Sequence, residues 1–292
     1  TNNFNINIFK KMNNDITIII LAHKSKKLVL DYIKSLYKKF KIIIIDNSND
    51  VDLKSVLLKS YPGIDIHLIP NNGYSNQINF ASKLVNTEYF LISNPDVRGI
   101  NEINILNFVK AAKKLNNKFS VLGPRFLNTD PKSHKQSVDN NSISEMKFIS
   151  GACMFFNKEN FDYMNGFDEN IFLYFEENDY CLRSFKINKN YQVNNIKIEH
   201  DAGTSVQIKN EDDKTNQANF RTWHFIWSKF YYFKKHYGFL FAFIYFIPII
   251  IRVNFRIILY RIINDKKKLS KYISRRSGLY SSILNKKSSR RF

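Results

Sequence analysis

The stretch "YFLISNPDV", residues 89–97, shows how the central part of this chain is built. Its first four residues are apolar and predict a strand that is buried on both faces. The strand runs into Ser-Asn-Pro-Asp at 93–96, where proline restricts its own backbone and that of the residue before it. The carboxylate of Asp96 is therefore presented by a stiff turn. It fits either the N-cap of the helical pattern that begins at Glu102 or a ligand for a metal or substrate.

Buried apolar runs alternate with helical patterns on both sides of this stretch. Strands are predicted at 16–21, 41–45, 64–69, 89–92, near 121, at 147–157 and at 191–198, and helices at 26–40, 51–61, 75–85 and 102–115. The alternation predicts an α/β fold with a mainly parallel, doubly wound sheet, and the polar stretch 128–144 predicts a surface excursion. In such sheets ligands bind beyond the carboxyl ends of the strands, which is where Asp46 and Asp96 fall.

The charge of the chain is unevenly distributed. Of the net charge of +20 over 292 residues, the part from 221 to 292 holds +16, from 17 Lys and Arg against one acid, Asp265. We therefore expect a loose polar segment over 1–14, a globular domain over 15–220 and a basic helical tail over 221–292. The apolar run near residue 16 is too short for a signal segment, so we expect none. Two cysteines give no disulfide framework.

The tail combines aromatic and apolar segments with its positive charge. Four aromatic residues recur at helical spacing: Phe220, Trp223, Trp227 and Tyr231. This stripe fits core packing and membrane contact equally well. The apolar run 239–251 is interrupted by Pro248 and stopped by Arg252, whereas a spanning helix needs about 20 residues. We expect an interfacial helix on an anionic membrane surface, and nucleic acid is a poorer partner because it would not require the apolar block.

Polar groups end four segments of the pattern: Asp46, Asp96, the acidic run at 176–179 and His200. Each has an ordinary structural role, because Asp46 can close a turn, the acids suit a first helical turn and a lone His is more often structural. As a set, carboxylates and an imidazole fit a hard-cation site, with a separate carboxylate to remove a proton.

Five segments resemble the family 2 glycosyltransferases, which have the A-type glycosyltransferase fold. They are "IIIIDNSND", "NNGYSNQINFA", "ISNPDV", "ISGACMFFNKENFDYMNGFDENIFLYFEENDYCLR" and "IEHDAGTSV", and they cover roughly residues 15–210. Within the family, the chain is most similar to the bacterial rhamnosyltransferase-like branch that builds cell-surface polysaccharide such as lipopolysaccharide or capsule. The resemblance implies that 15–220 is a glycosyltransferase catalytic domain.

The resemblance also implies roles for the strand-end residues. The nucleotide-sugar-binding residues would be Asp46, Asn72, Gly73 and Asp96. Asp96 and His200 would bind Mg²⁺ or Mn²⁺, which favours the ligand role of Asp96 over the N-cap role. Asn94 stands where the family usually has the first acid of a metal-binding pair, so the diphosphate of the donor would complete the shell.

The catalytic base implied by the resemblance is Glu177, where the family usually has Asp. Asp179 is the second candidate, although Arg183 lies one helical turn later and is placed to pair with it, which would make Asp179 structural. Gly151 and Ala152, which allow close backbone approach within the predicted strand 147–157, are assigned with Arg183 to acceptor binding or structural support.

The implied activity is inverting transfer of a sugar from a nucleotide diphosphate donor to a lipid-linked or growing cell-surface polysaccharide acceptor. L-Rhamnose from dTDP-rhamnose is the first candidate donor, and the enzyme would be peripheral on the cytoplasmic face of the bacterial inner membrane. Two alternatives stay open: a UDP-hexose-dependent transferase of the same fold, and a catalytically silent carbohydrate-binding or scaffold protein, because Asn94 and Glu177 depart from the family pattern.

Overall fold

The computed structural model describes residues 13–129, 136–137, 141–201, 203–204, 206 and 210–291. Most of the predicted loose segment 1–14 and about half of the surface excursion 128–144 lie outside these residues. The chain divides into two compact units. The first consists of Thr1–Asn72, Asn76–Phe167 and Tyr180–Gln207, and the second of Gly73–Ser75, Asp168–Asp179 and Ile208–Phe292. The predicted boundary near residue 220 falls inside a helix of the second unit.

The described residues form nine strands and nine helices. The strands are β1 (Ile16–Ala22), β2 (Lys41–Asp46), β3 (Asp65–Leu68), β4 (Tyr89–Ser93), β5 (Val97–Arg98), β6 (Val121–Phe126), β7 (Ile143–Met146), β8 (Cys153–Asn157) and β9 (Asn190–His200). The helices are α1 (Lys26–Ile33), α2 (Val51–Ser60), α3 (Tyr74–Leu84), α4 (Glu102–Lys114), α5 (Lys158–Tyr163), α6 (Glu176–Ser184), α7 (Glu211–Tyr237), α8 (Phe239–Ile262) and α9 (Lys266–Ile283).

The sheet of the first unit has the strand order β3-β2-β1-β4-β8-β6-β9-β5, with β7 paired to β9. Strands β1 to β4 are mutually parallel, β8 is antiparallel to β4 and β6, and β6 is parallel to β9. The predicted α/β fold with parallel strands is confirmed in β1 to β4, while the sheet as a whole is mixed. The carboxyl ends of β1, β2 and β4 lie at one edge, and this edge carries the polar residues of interest.

The central strands read as continuous apolar runs because they are covered by helices. Ile18 and Ile20 of β1 belong to the same fully buried cluster as Val29 and Ile33 of α1 and Phe108 of α4. Each such side chain contributes about 1.5–3 kcal/mol by leaving water. The strands that deliver the functional residues are therefore rigidly held.

Two predicted elements are shorter than expected. The helix predicted over 26–40 ends at Ile33, because the Lys-rich remainder continues as turns and Lys38 takes a left-handed φ of +65°. The strand predicted over 147–157 was wrong in its first half, because Gly151 and Ala152 lie in the turn before β8. The Ala152 carbonyl accepts a hydrogen bond from the Asn94 N–H at 2.9 Å, and close approach at Gly151 stays a prediction.

Helices α7, α8 and α9 make up most of the second unit. Ile226, Phe230, Phe246 and Leu279 form its buried core. The backbones of α7 and α9 approach closely at Gly278, where an added Cβ would lie 2.4 Å from the carbonyl oxygen of Trp223. Three of the four predicted stripe aromatics, Phe220, Trp223 and Trp227, are buried within this unit, so packing accounts for them.

Helix α8 is longer than the apolar run that predicted it. It continues through Pro248 and Arg252 to Ile262, a length of 24 residues. By length and composition it is the one helix among the described residues that is able to cross a membrane. Its most apolar window of 18 residues has a mean hydropathy of 1.9, and 22% of that window is buried. One helix of this kind is weak support for a spanning segment.

Candidate functional site

Asp46 ends β2, and its side chain closes the turn that follows. The carboxylate is fully buried, and its Oδ1 accepts hydrogen bonds from the backbone N–H groups of Ser48 at 3.0 Å and Asp50 at 2.9 Å. Its Oδ2 accepts from the Ser48 hydroxyl at 2.9 Å. The turn-closing alternative is therefore observed. A carboxylate offers about four acceptor positions, so nucleotide contact by Asp46 stays a prediction.

Asp96 faces His200 across a short antiparallel strand pair. Strand β5 pairs with the end of β9 and sets Val97 opposite His200. This register brings Asp96 Oδ1 to 3.4 Å from His200 Nε2, with the carboxylate side chain fully buried and the imidazole 11% exposed. The sequence placed both residues at strand ends, and the structure brings them together.

The N-cap role of Asp96 is excluded. Helix α4 has Asn101 as its N-cap, and the Asn101 side chain accepts a hydrogen bond from the Asn104 N–H at 3.0 Å. Asp96 lies ahead of this cap, in the turn that is anchored by the Asn94 N–H donating to the Ala152 carbonyl at 2.9 Å.

The geometry of this pair is compatible with a divalent cation. A separation of 3.4 Å exceeds the usual length of a charge-assisted hydrogen bond and is close to the spacing of about 3 Å between neighbouring ligands of octahedral Mg²⁺. Carboxylate oxygen and imidazole nitrogen are both ligands for such metals. Within the described part of the chain, no three His, Cys, Asp or Glu side chains form a metal-binding group. Asp96 and His200 could thus hold a cation only together with oxygen atoms from a substrate or water.

The predicted nucleotide-sugar loop depends on glycine at position 73. Gly73 has a φ of +99°, and an added Cβ would lie 2.6 Å from the Phe172 carbonyl oxygen. The same carbonyl accepts a hydrogen bond from the Tyr74 N–H at 2.8 Å, and the Ser75 hydroxyl donates to the Ile171 carbonyl at 2.8 Å. Residues 73–75 are therefore fixed against the chain segment that precedes α6. Asn72 lies immediately before this loop.

Residues 168–179, here called the acidic segment, contain a strained turn. Tyr174 and Phe175 have φ values of +67° and +71°, in the left-handed region that bulky side chains rarely occupy. Each such residue costs roughly 1–3 kcal/mol. Their rings are held by Phe225, at centroid distances of 5.7 Å from Tyr174 and 5.5 Å from Phe175, and Phe175 also contacts Tyr232. This turn starts α6 at Glu176.

Two adjacent carboxyl groups lie buried at the start of α6. Burial raises the pKa of Glu177 to about 7, while burial and the neighbouring charge of Glu177 raise the pKa of Glu176 well above its ordinary value. Glu177 Oε1 accepts a hydrogen bond from the Asn178 side chain at 3.0 Å. The Oε2 atoms of both Glu176 and Glu177 are buried without a hydrogen-bond partner among the described residues. A carboxyl group with a pKa near neutrality is suited to general base catalysis.

Asp179, the second candidate base, is fully buried and ion-paired. Its Oδ1 lies 2.6 Å from Lys235 Nζ and 2.8 Å from His236 Nε2, both on α7. The sequence did not point to these two basic side chains as partners of Asp179, and a structural role for Asp179 stays a prediction. Arg183, the partner proposed from the sequence, donates to the carbonyls of Met164 at 2.8 Å and Gly166 at 2.6 Å.

The sequence reasoning missed several polar residues of these sites. They are His23, Lys235 and His236. His23 directly follows β1, and its Nδ1 lies 2.5 Å from Asn47 Oδ1. His23 could have been identified in the same way as His200, because polar residues just beyond the carboxyl end of a strand are candidates for ligand binding. Lys235 and His236 gave no signal, because basic residues in the last turn of a helix ordinarily complement its dipole.

Comparisons with known proteins identify the family of this chain. The model of the family described as "Glycosyl transferase family 2" matches residues 17–191. A low-salt glycan biosynthesis hexosyltransferase, Agl10 of Haloferax volcanii, is 26% identical over 208 residues, which are 61% of this chain and 64% of that protein. The match thus spans less than two thirds of Agl10. Rhamnosyltransferase WbbL of Escherichia coli is 26% identical over 204 residues, covering 57% of this chain and 75% of that protein.

Solved structures with the same fold include a mannosyltransferase and the protein TarS. The mannosyltransferase PcManGT from Pyrobaculum calidifontis, in complex with GDP-Man and Mn²⁺, has a TM-score of 0.58 at 12% identity and covers 94% of this chain and 88% of its own. Residues 1–349 of TarS from S. aureus, in complex with UDP, have a TM-score of 0.52 at 12% identity. This match covers 93% of the present chain and 92% of the TarS chain. At this identity they show the fold alone, which is the A-type glycosyltransferase fold expected from the sequence. Since the family model covers more than half of the chain, the protein belongs to glycosyl transferase family 2.

Proposed function

We propose that this protein is an inverting, divalent-metal-dependent glycosyltransferase that uses a nucleotide diphosphate sugar. The observation that carries the proposal is the buried Asp96–His200 pair at the carboxyl edge of the sheet, with 3.4 Å between Oδ1 and Nε2. Ligands bind at this edge in open α/β sheets. A bound Mg²⁺ or Mn²⁺ would neutralise the charge that develops on the departing diphosphate. Asp96 and His200 are the residues that would hold it.

Glu177 is the proposed base. Its pKa of about 7 leaves a substantial fraction of carboxylate at neutral pH, and its Oε2 atom is available to accept a proton. Loss of that proton lets the acceptor hydroxyl oxygen form a bond to the anomeric carbon, while the bond to the diphosphate oxygen breaks and takes its electron pair to the leaving group. One displacement of this kind inverts the anomeric configuration.

The proposed donor is dTDP-rhamnose, transferred as L-rhamnose, with a UDP-hexose as the alternative. Similarity to the rhamnosyltransferase WbbL supports the first, and similarity to the hexosyltransferase Agl10 supports the second. The proposed acceptor is a lipid-linked or growing cell-surface polysaccharide. A hydrolysis screen across dTDP-, UDP- and GDP-sugars, with and without Mn²⁺, distinguishes these donors.

The decisive variant in this screen is Asp96→Asn, with Asp201→Asn as its matched control. Asp201 is an acid beside the same strand end, but it pairs with Arg98 at 2.9 Å. We expect Asp96→Asn to lose Mn²⁺-dependent nucleotide binding by calorimetry and at least 10²-fold in turnover, with unfolding unchanged. Asp201→Asn should bind nucleotide as the wild type does. Unchanged Mn²⁺-dependent binding in Asp96→Asn would remove the metal assignment.

We also propose that the basic tail docks the enzyme on the anionic cytoplasmic face of the bacterial inner membrane. One side of α8 is an exposed apolar stripe, formed by Leu240, Ile244, Ile247, Ile251, Phe255, Ile258 and Ile262. Its length is about 33 Å at the rise of an α-helix. Exposed cations follow at Lys266, Lys267 and Lys268. Apolar burial and attraction to anionic lipid together favour a peripheral enzyme.

A further inference from the structure

We propose that Lys235 and His236 are positioning residues, which hold the acidic segment so that Glu177 keeps one orientation. The inference rests on the proposed role of Glu177 as the base. Among the described residues, neither side chain forms a hydrogen bond or an ion pair with Glu177. Both would therefore act through other residues of the segment. All of the groups concerned lie in the second unit.

Lys235 joins the two ends of the acidic segment. Its Nζ lies 2.7 Å from Asp168 Oδ2 and 2.6 Å from Asp179 Oδ1. The first and last residues of a twelve-residue stretch are thereby bound to one ammonium group. Because the Lys235 side chain is only 28% exposed and both carboxylates are 11% exposed or less, these ion pairs are shielded from solvent.

His236 and Tyr231 complete the anchoring from the same helix. His236 Nε2 lies 2.8 Å from Asp179 Oδ1, and the Tyr231 hydroxyl donates to Asp168 Oδ2 at 2.9 Å. Burial disfavours the charged form of Asp168, but hydrogen bonds from Lys235 and the Asn170 backbone lower its pKa below the ordinary value. Each end of the segment is therefore a carboxyl group with two partners on α7.

The part of the segment between these ends is strained. It contains the left-handed Tyr174 and Phe175 and the two buried carboxyl groups of Glu176 and Glu177. Strained backbone persists only where the surroundings over-determine it. A side chain that reacts must also be held closely, since a displacement of about 1 Å can cost 10²-fold in rate. The anchors at both ends supply this constraint.

Three variants and one control test the positioning role in the full-length protein. Lys235→Met removes the charge at similar size, Lys235→Arg keeps it, and His236→Gln removes the imidazole ring. The control is Lys214→Met, because Lys214 is a lysine of the same helix whose ion pair is with Glu211 at 2.6 Å, outside the acidic segment. The measurements are donor-hydrolysis kinetics, with the nucleotide sugar that the screen identifies, and amide hydrogen exchange of peptides covering 168–179.

We expect Lys235→Met to lower kcat by about 10- to 100-fold while KM for the donor changes less than about twofold. Amide hydrogens of the segment should exchange about tenfold faster or more. The N–H groups of Ile171 and Asp179 report on this exchange, since both form hydrogen bonds within the segment. His236→Gln should have a smaller effect in the same direction, Lys235→Arg should restore most of kcat, and Lys214→Met should match the wild type.

Three results would overturn the inference. The first is wild-type kcat and exchange in Lys235→Met, and the second is a failure of Lys235→Arg to restore kcat. The third is faster exchange throughout α7, α8 and α9 with kcat, KM and unfolding all altered, which indicates a general loss of structure. If the wild type hydrolyses no nucleotide sugar, the proposed function fails, while the exchange measurement still decides whether Lys235 holds the segment.

Discussion

Replacing Glu177 by Gln should change catalysis and stability in opposite directions. Gln keeps the size and the hydrogen-bond acceptor of Glu177 but accepts no proton near neutral pH, so kcat should fall by about 10²- to 10⁴-fold. Donor affinity should stay the same, because the base acts on the acceptor hydroxyl. In the wild type, kcat should rise with pH through about 7 as Glu177 ionises, and this rise should be absent in the variant.

The effect on stability follows from the raised pKa of the same group. The pKa of Glu177 is about 7 in the folded protein against an ordinary value of 4.5. Since the folded state then binds a proton more tightly than the unfolded state, the free energy of unfolding falls as pH rises from about 4.5 to 7. The difference amounts to about 3 kcal/mol at most. Glu177→Gln carries no such charge, so it should be more stable than the wild type at pH 8 and equal to it at pH 4.

Urea unfolding at pH 4, 6 and 8, together with steady-state kinetics, measures both effects. The matched control is Glu159→Gln, which changes an exposed acid in the first turn of α5 and should leave kcat and the pH dependence as they are. Glu177 would be a structural residue if Glu177→Gln kept more than a tenth of the wild-type kcat. Lower stability of the variant at pH 8 would contradict the burial argument.

Two further variants, one single and one triple, test the loop and the tail. Gly73→Ala needs an unfavourable φ and sets a Cβ 2.6 Å from a backbone carbonyl, so nucleotide affinity measured by calorimetry should fall at least tenfold, and unchanged affinity would refute the loop assignment. Changing Leu240, Ile244 and Ile251 together to Ser should weaken sedimentation with anionic liposomes, whereas Ile103→Ser, at an equally exposed site on α4, should not. Binding of the wild type should weaken only partly in high salt, because the apolar contribution is not screened; complete release would indicate a purely electrostatic contact.

Much of the fold could be predicted from the sequence because the central strands leave a strong pattern. β1, β2 and β4 are runs of buried apolar residues, and each is bounded by a polar turn or a helical pattern. Helix α8 was harder, since proline and arginine inside it both argue against continuation. Pro248 nevertheless lies inside a continuous helix, whose buried side packs Phe246, Val253 and Ile257. Tertiary packing outweighs local propensity here.

The site could be predicted where it depends on strand ends and could not where it depends on tertiary contacts. Asp96 and His200 follow from the rule that ligands bind beyond the carboxyl ends of strands, although only the structure shows their register. The turn at Tyr174 and Phe175 contains no glycine, so the sequence gives no sign of its left-handed backbone. Its conformation depends on packing against aromatic rings of α7. Lys235 lies 56 positions after Asp179 and could be connected with it only through the packed structure.

The cost of the acidic segment argues against a catalytically silent protein. Two left-handed aromatic residues cost roughly 1–3 kcal/mol each, and the burial that raises the pKa of Glu177 lowers stability further once this carboxyl group ionises. A whole domain is stabilised by only about 5–15 kcal/mol. Carboxyl groups whose pKa is raised by burial and backbone strain are both characteristic of functional sites. The strained turn and the two carboxyl groups of raised pKa, in a segment anchored by ion pairs at each end, therefore support the proposal of an active enzyme even though Asn94 and Glu177 depart from the family pattern.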